Sequence, residues 1–215
     1  AATTTALGVS AFALPPDFGA PSDAYSLLEF NTLGSQDVDF GTLRYGNPFP
    51  SDWNRVVDVF VAFTKNYLAP GATVSEPLLR GLSVSQLVDP ASRDNATMTV
   101  APVITPPRHP QINGKTLFAN QLGVGTSPLL AWTEPELGVP NRYFVRLLEL
   151  QAFGTRTVFV PVATFTTAQT SFAVPPGLMQ AGHLYILTIA AVSGGSPVPP
   201  PNRPRLPFAC APMMS

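Results

Sequence analysis

The chain has 215 residues, 45% of them hydrophobic and only 12% charged, with a formal net charge of −1. Such apolar content with so little charge excludes a disordered chain, and the near-zero net charge removes the electrostatic basis for binding nucleic acid or an anionic membrane surface. No apolar run approaches the ~20 residues that cross a bilayer as a helix.

The length suits two domains of about 100 residues each. Charged residues normally make up about 25% of a soluble domain; here Lys65 and Lys115 are the only lysines. A surface this poor in charge suits either a neutral extracellular face or a face covered by partners in an assembly, and the first is favoured. At the start, Ala1-Ala2-Thr3-Thr4-Thr5 lacks the basic region of a signal peptide and suits a mature end left after cleavage. In the segment that follows, Thr3, Thr5, Leu7, Val9 and Ala11 share one side of an extended chain. This segment is expected as an edge strand that pairs within its own domain; the alternative is strand addition to a neighbouring subunit.

Twenty-five prolines break the chain repeatedly, which disfavours helices, and short β-branched and aromatic runs lie between clusters of Gly, Pro, Asn and Asp. Strands are expected near Tyr25–Phe30, Val38–Tyr45, Arg55–Phe63 and Thr97–Ile104. In the third, Val57, Val59, Val61 and Phe63 share one face and Val56, Asp58, Phe60 and Ala62 the other, as in a central strand. Ser75–Val88 reads either as a short helix, through Leu78, Leu79, Leu82 and Leu87, or as a strand, through Leu82, Val84 and Gln86; the strand is preferred. Thr105-Pro106-Pro107-Arg108-His109-Pro110 reads as a stiff connector, and Asn113-Gly114 as a tight hairpin turn. Ser193–Pro207 is dense in Gly and Pro and reads as loop or extended polyproline chain.

Within the second half, Ser127-Pro128-Leu129-Leu130-Ala131-Trp132, then Glu134-Pro135 and Gly138, then Tyr143-Phe144-Val145-Arg146-Leu147 place a Trp strand before an alternating strand. Thr170-Ser171-Phe172-Ala173-Val174 precedes Leu178, Gly182 and Tyr185, and Tyr185-Ile186-Leu187-Thr188-Ile189-Ala190-Ala191 alternates again. Over about residues 112–195 this order resembles a fibronectin type III domain of a secreted, bacterial kind. Leu178 to Gly182 is one residue longer than the family's corner spacing, and Ala181 stands where the family carries Pro. The resemblance implies a seven-stranded Greek-key sandwich, a role in adhesion, spacing or protein binding, and no catalysis. It also implies a tyrosine whose ring is buried and whose hydroxyl bonds backbone at the corner.

Candidate chemistry is sparse. The two histidines, His109 and His183, have no second His or Cys at ligand spacing, and no Gly-x-Ser-x-Gly elbow supports a catalytic serine. Asp37 and Asp39 can share a Ca²⁺ with Asp58 or stand as a solvated strand entry, the favoured reading, and Glu134 with Glu136 invites the same idea more weakly. Phe40–Trp53 is the most distinctive stretch: Tyr45, Phe49 and Trp53 form either a platform for a glycan or protein, or a plug over the end of the first sandwich. Asn95-Ala96-Thr97 fits the glycosylation sequon. Cys210, the only cysteine, is a free thiol, a buried one, or one half of an intermolecular disulfide. The tail prolines from Pro197 to Pro207 can present a polyproline ligand, and a covering strand or spacer is favoured.

The fold expected is all-β, two β-sandwich domains in tandem: residues 1–106, then a fibronectin type III/immunoglobulin-like domain at 107–195, then a Pro-rich tail at 196–215. The expected function is a non-catalytic extracellular or cell-envelope adhesion or spacer protein with a protein or glycan partner, located in secretions, periplasm or cell surface. Two alternatives stand beside it: a self-assembling subunit of a surface filament or layer, a homo-oligomer or polymer built by strand addition of the N-terminal segment, and a carbohydrate-binding accessory module. No cofactor or metal is expected, and neither a nucleic-acid partner nor a membrane span.

Overall fold

The computed structural model of the chain describes residues 3–15, 25–33, 41, 44, 46–88, 103–194 and 208–214. Among these there is no helix. The strands are β1 (Thr3–Leu14), β2 (Tyr25–Leu33), β3 (Asn54–Tyr67), β4 (Glu76–Val88), β5 (Arg108–Ile112), β6 (Lys115–Thr116), β7 (Leu129–Thr133), β8 (Arg142–Phe153), β9 (Arg156–Thr167), β10 (Ser171–Ala173), β11 (Leu184–Gly194) and β12 (Phe208–Met214). They make an eight-stranded sheet in the order β2-β1-β3-β4-β12-β11-β8-β9 and a four-stranded sheet in the order β10-β7-β5-β6. The protein is therefore all-β.

In the first half, β1 runs between β2 and β3 and pairs with both. It is an interior strand of its own chain, where the sequence suggests an edge. The reason lies in its two faces. Leu7, Val9 and Ala11 stand opposite Val61, Val59 and Val57 of β3, while Gly8 and Ser10 present small groups to the other side. A side chain at Gly8 would meet the Phe60 ring and the Asn31 amide, so the absence of a Cβ lets that ring lie across the strand. β4 pairs with β3 along its whole length, from Arg55 opposite Val88 to Tyr67 opposite Glu76, so the ladder makes Ser75–Val88 a strand and not a helix. Most of each strand expected at Val38–Tyr45 and Thr97–Ile104 lies outside the described residues.

In the second half, the four-stranded sheet packs face to face on β11, β8 and β9. Period-2 alternation drives this: Tyr143, Val145 and Leu147 of β8 and Leu187, Ile189 and Ala191 of β11 point into one core. From the other layer come Ile112, Leu130 and Trp132, with Ile104, Leu117, Val174 and Met179 from the connecting segments. Trp132 is 5% exposed and meets Tyr143 edge to face, ring centroids 5.3 Å apart. Such a pair adds ~1 kcal/mol beyond its burial. The hairpin turn lies where expected: Asn113 and Gly114 both have positive φ, as a two-residue mirror-image turn demands, and Ile112 faces Lys115 across it. The Asn113 side chain then accepts from the Leu129 N–H and donates to the Val124 carbonyl.

Two features join the halves. The tip of the β3–β4 hairpin lies on the outer face of the sandwich sheet, where Ala69 and Leu78 share a second core with Leu148, Leu150 and Ile186. Tyr67 meets Phe159 there edge to face. Backbone bonds fix the contact: Thr73 and Val74 donate to the Thr155 carbonyl at 2.9 and 2.8 Å, and Thr157 donates to the Val74 carbonyl at 3.0 Å. The buried Thr157 hydroxyl accepts from the Ala69 N–H at 2.9 Å. The connector is held as well. Thr105 Oγ1 accepts from the Glu136 and Leu137 amides, and Gly138, at φ +80°, passes so close to the Val103 carbonyl that no Cβ fits.

The second joint is β12. Within the tail expected at 196–215, Phe208–Met214 forms a strand that pairs with β11 along its length and with β4 from Phe208 to Cys210. The β4 ladder stops two residues before Pro212, whose nitrogen has no hydrogen to donate.

Candidate functional site

Two places bring functional side chains together. The first is aromatic. Phe49 and Trp53, in the loop before β3, stack with centroids 4.7 Å apart and planes 8° from parallel. Tyr25, at the start of β2, packs against both, at 5.2 and 5.6 Å. It comes within reach because β1 aligns the start of β2 with the start of β3: Ala13 faces Tyr25 on one side and Arg55 on the other. Tyr45, grouped with Phe49 and Trp53 from sequence, lies outside the described residues, as do Asp37, Asp39, the Asn95 sequon and the tail prolines. Phe49 and Trp53 are half-buried against one another, and Tyr25 keeps 51% of its surface exposed. The result is a compact cluster rather than a flat row of rings.

The second place is a groove of about 410 Å³ between the end of β3 and the open end of the sandwich. Lys65, Asn66, Tyr67 and Leu68 form one wall; the segment from Leu117 to Val124 and the corner from Met179 to Leu187 form the others. The corner is built on Tyr185, whose ring packs against the core and whose hydroxyl accepts from the Gln180 N–H at 2.9 Å. That arrangement holds the turn before β11 by its own backbone.

His183, in the same corner, lies with Nδ1 2.6 Å from Glu149 Oε1 of β8 and stacks on Tyr185. Hydrogen bonds from Gln151 first, and from His183 second, hold the Glu149 carboxyl below its ordinary range, against the opposing effect of burial. A His–carboxylate pair is half of a nucleophile-activating arrangement, but among the described residues no Ser, Thr or Cys lines the groove beside it. Nothing in the local sequence links Glu149 to His183, 34 residues apart. The hint is chemical: a carboxylate inside the apolar run Tyr143–Leu150 requires a partner.

Other sequence candidates are placed singly. His109, at φ 47°, sits where the β5–β7 register breaks. Glu136 makes an exposed ion pair with Arg108 at 3.9 Å. Cys210 lies in β12, in register with Val192 of β11 and Ser83 of β4. Among the described residues, no three His, Cys, Asp or Glu side chains form a metal-binding group, and no helix is long and apolar enough to cross a membrane. Burial, and then the charge of Glu134, push the Tyr143 hydroxyl up from its ordinary range. The nearby Trp132 indole N–H makes only a loose contact with it, short of full hydrogen-bond geometry. Arg142 at the start of β8 is buried, with its guanidinium 5.4 Å from the Phe144 ring and one terminal nitrogen without a hydrogen-bond partner.

Comparison with protein-family models, curated proteins and solved structures returned no match.

Proposed function

We propose that the chain is a non-catalytic interaction and spacer module of the cell exterior, in which one sheet of a fibronectin type III-like sandwich continues into the strands of the first half. The observation that carries this reading is the strand order of the second half. One layer is β10-β7-β5 and the other is β12-β11-β8-β9, the arrangement of a seven-stranded Greek-key sandwich, to which the two-residue β6 is added as the second arm of the β5–β6 hairpin. Trp132 in the core and the Tyr185 hydroxyl on the Gln180 amide agree with it. The family range read from sequence ends at 195; on this reading the seventh strand is Phe208–Met214.

A spacer role is supported by the two joints, because a sheet that continues from β4 through β12 into β11 resists bending better than a linker. The low charge of the chain supports an extracellular setting, and the Tyr25, Phe49 and Trp53 cluster offers a partner-facing surface. Assembly by donation of the N-terminal strand is less favoured, since β1 already pairs on both edges.

The test is ¹⁵N relaxation of the full chain. A rigid spacer gives one rotational correlation time for amides of β1–β4 and β7–β11. Two distinct correlation times, one for each half, would overturn the spacer reading.

A further inference from the structure

We propose that the groove between the end of β3 and the open end of the sandwich binds a small apolar molecule bearing one anionic end group, such as a hydrocarbon carboxylate. The inference goes beyond the spacer role and does not depend on it.

The walls decide the body of the ligand. Leu117, Val124, Met179, Ile186 and Leu187 line the groove, and on its rim Leu122, Leu68 and Leu184 remain 88%, 53% and 40% exposed. Leucines left in water around a concavity of about 410 Å³ favour an apolar occupant, and the volume falls in the ~300–1,000 Å³ range of small-molecule sites. Asn66, Asn120 and Gln121 also line the groove, so it holds some polar groups, but each sugar hydroxyl set against the leucines without a partner would cost ~1–3 kcal/mol.

Charge decides the end group. Among the described residues, no Asp or Glu lines the groove, and Lys65 is the only permanently charged one that does. The Lys65 ammonium sits 4.9 Å from the Tyr67 ring centre and forms no salt bridge with a described residue. His183 also lines the groove, but its Nδ1 is committed to Glu149. A cationic ligand would meet Lys65 unfavourably; an anion would give the ammonium a charged partner, which no described residue supplies. Because Lys65 comes from β3 and the other walls from the sandwich, neither half makes the site alone.

The test uses the full chain and two probes, 1-anilinonaphthalene-8-sulfonate by fluorescence and dodecanoate, below its micelle concentration, as competitor. Saturable binding at one site is expected, with dodecanoate displacing the dye at least tenfold better than dodecanol or dodecyltrimethylammonium. Lys65→Met weakens dodecanoate about tenfold and leaves dodecanol unchanged, as loss of one charge-assisted contact predicts. Leu122→Ser, at a residue too exposed to matter for folding, weakens both. Absence of saturable binding, equal affinity for dodecanoate and dodecanol, or unchanged dodecanoate binding by Lys65→Met would overturn the proposal. Should Lys65→Met lower the melting temperature, amide shift mapping with dodecanoate on the unmutated chain decides. Shifts centred on Lys65–Leu68, Leu117–Val124 and His183–Leu187 support the site, and shifts centred elsewhere refute it.

Discussion

The Glu149 carboxylate ties the corner before β11 to β8 through His183, so it links local chemistry to the standing of the sandwich. Its folded pKa lies below the ordinary value, so its stabilising effect is present above the unfolded pKa, about 4.3, and is lost as pH falls through the folded value. Urea unfolding of the parent and Glu149→Gln should therefore differ at pH 6, and the difference should close as pH is lowered past 4. A constant difference across that range would show that the carboxylate charge plays no part. Arg142 makes the opposite case. A buried guanidinium with an unpartnered nitrogen is held against a desolvation cost that its contact with Phe144 offsets only in part. Arg142→Met, which keeps the apolar stem, is expected to leave the melting temperature unchanged or raise it. A clear fall would mean that the cation has a stabilising partner.

At the scale of elements, the joint between the β3–β4 hairpin and β9 rests on a buried hydroxyl. Thr157→Val keeps the shape of the side chain but strands the Ala69 N–H, and should cost ~1–3 kcal/mol in unfolding free energy. Thr157→Ser, which keeps the acceptor, should recover most of that loss. The elements themselves were largely legible. Alternation through Val57–Phe63, Tyr143–Leu147 and Tyr185–Ala191, and the turn at Asn113-Gly114, are local signals, and the strands and hairpin formed where they fall. β12 was not legible, because Phe208–Met214 follows a run of Gly and Pro and contains Pro212. Its strand state comes from ladders to β11 and β4, which no local pattern records. The candidate sites were less readable for the same reason. Tyr25 joins Phe49 and Trp53, and Lys65 joins His183 in one groove, only through long-range pairing.

For the whole molecule, what matters is whether the halves form one body. Residues 103–107 lead into the second half, but the contacts between the halves are broader: a shared core around Leu148 and Ile186, the bonds of Thr73, Val74 and Thr157, and a sheet that runs on through β12. Each of these adds burial or hydrogen bonding that independent domains lack, so the halves should unfold together. Edge strand β9 at the sheet's end carries Pro161 beside a register shift, a device that discourages strand addition there. The most direct measurement is native-state hydrogen exchange of the β12 amides. Those of β12 that bond to β11 or β4 should be protected to the same free energy as the central amides of β11. Exchange at the rate of an unstructured peptide throughout Phe208–Met214 would contradict the continuous sheet on which the union of the two halves depends.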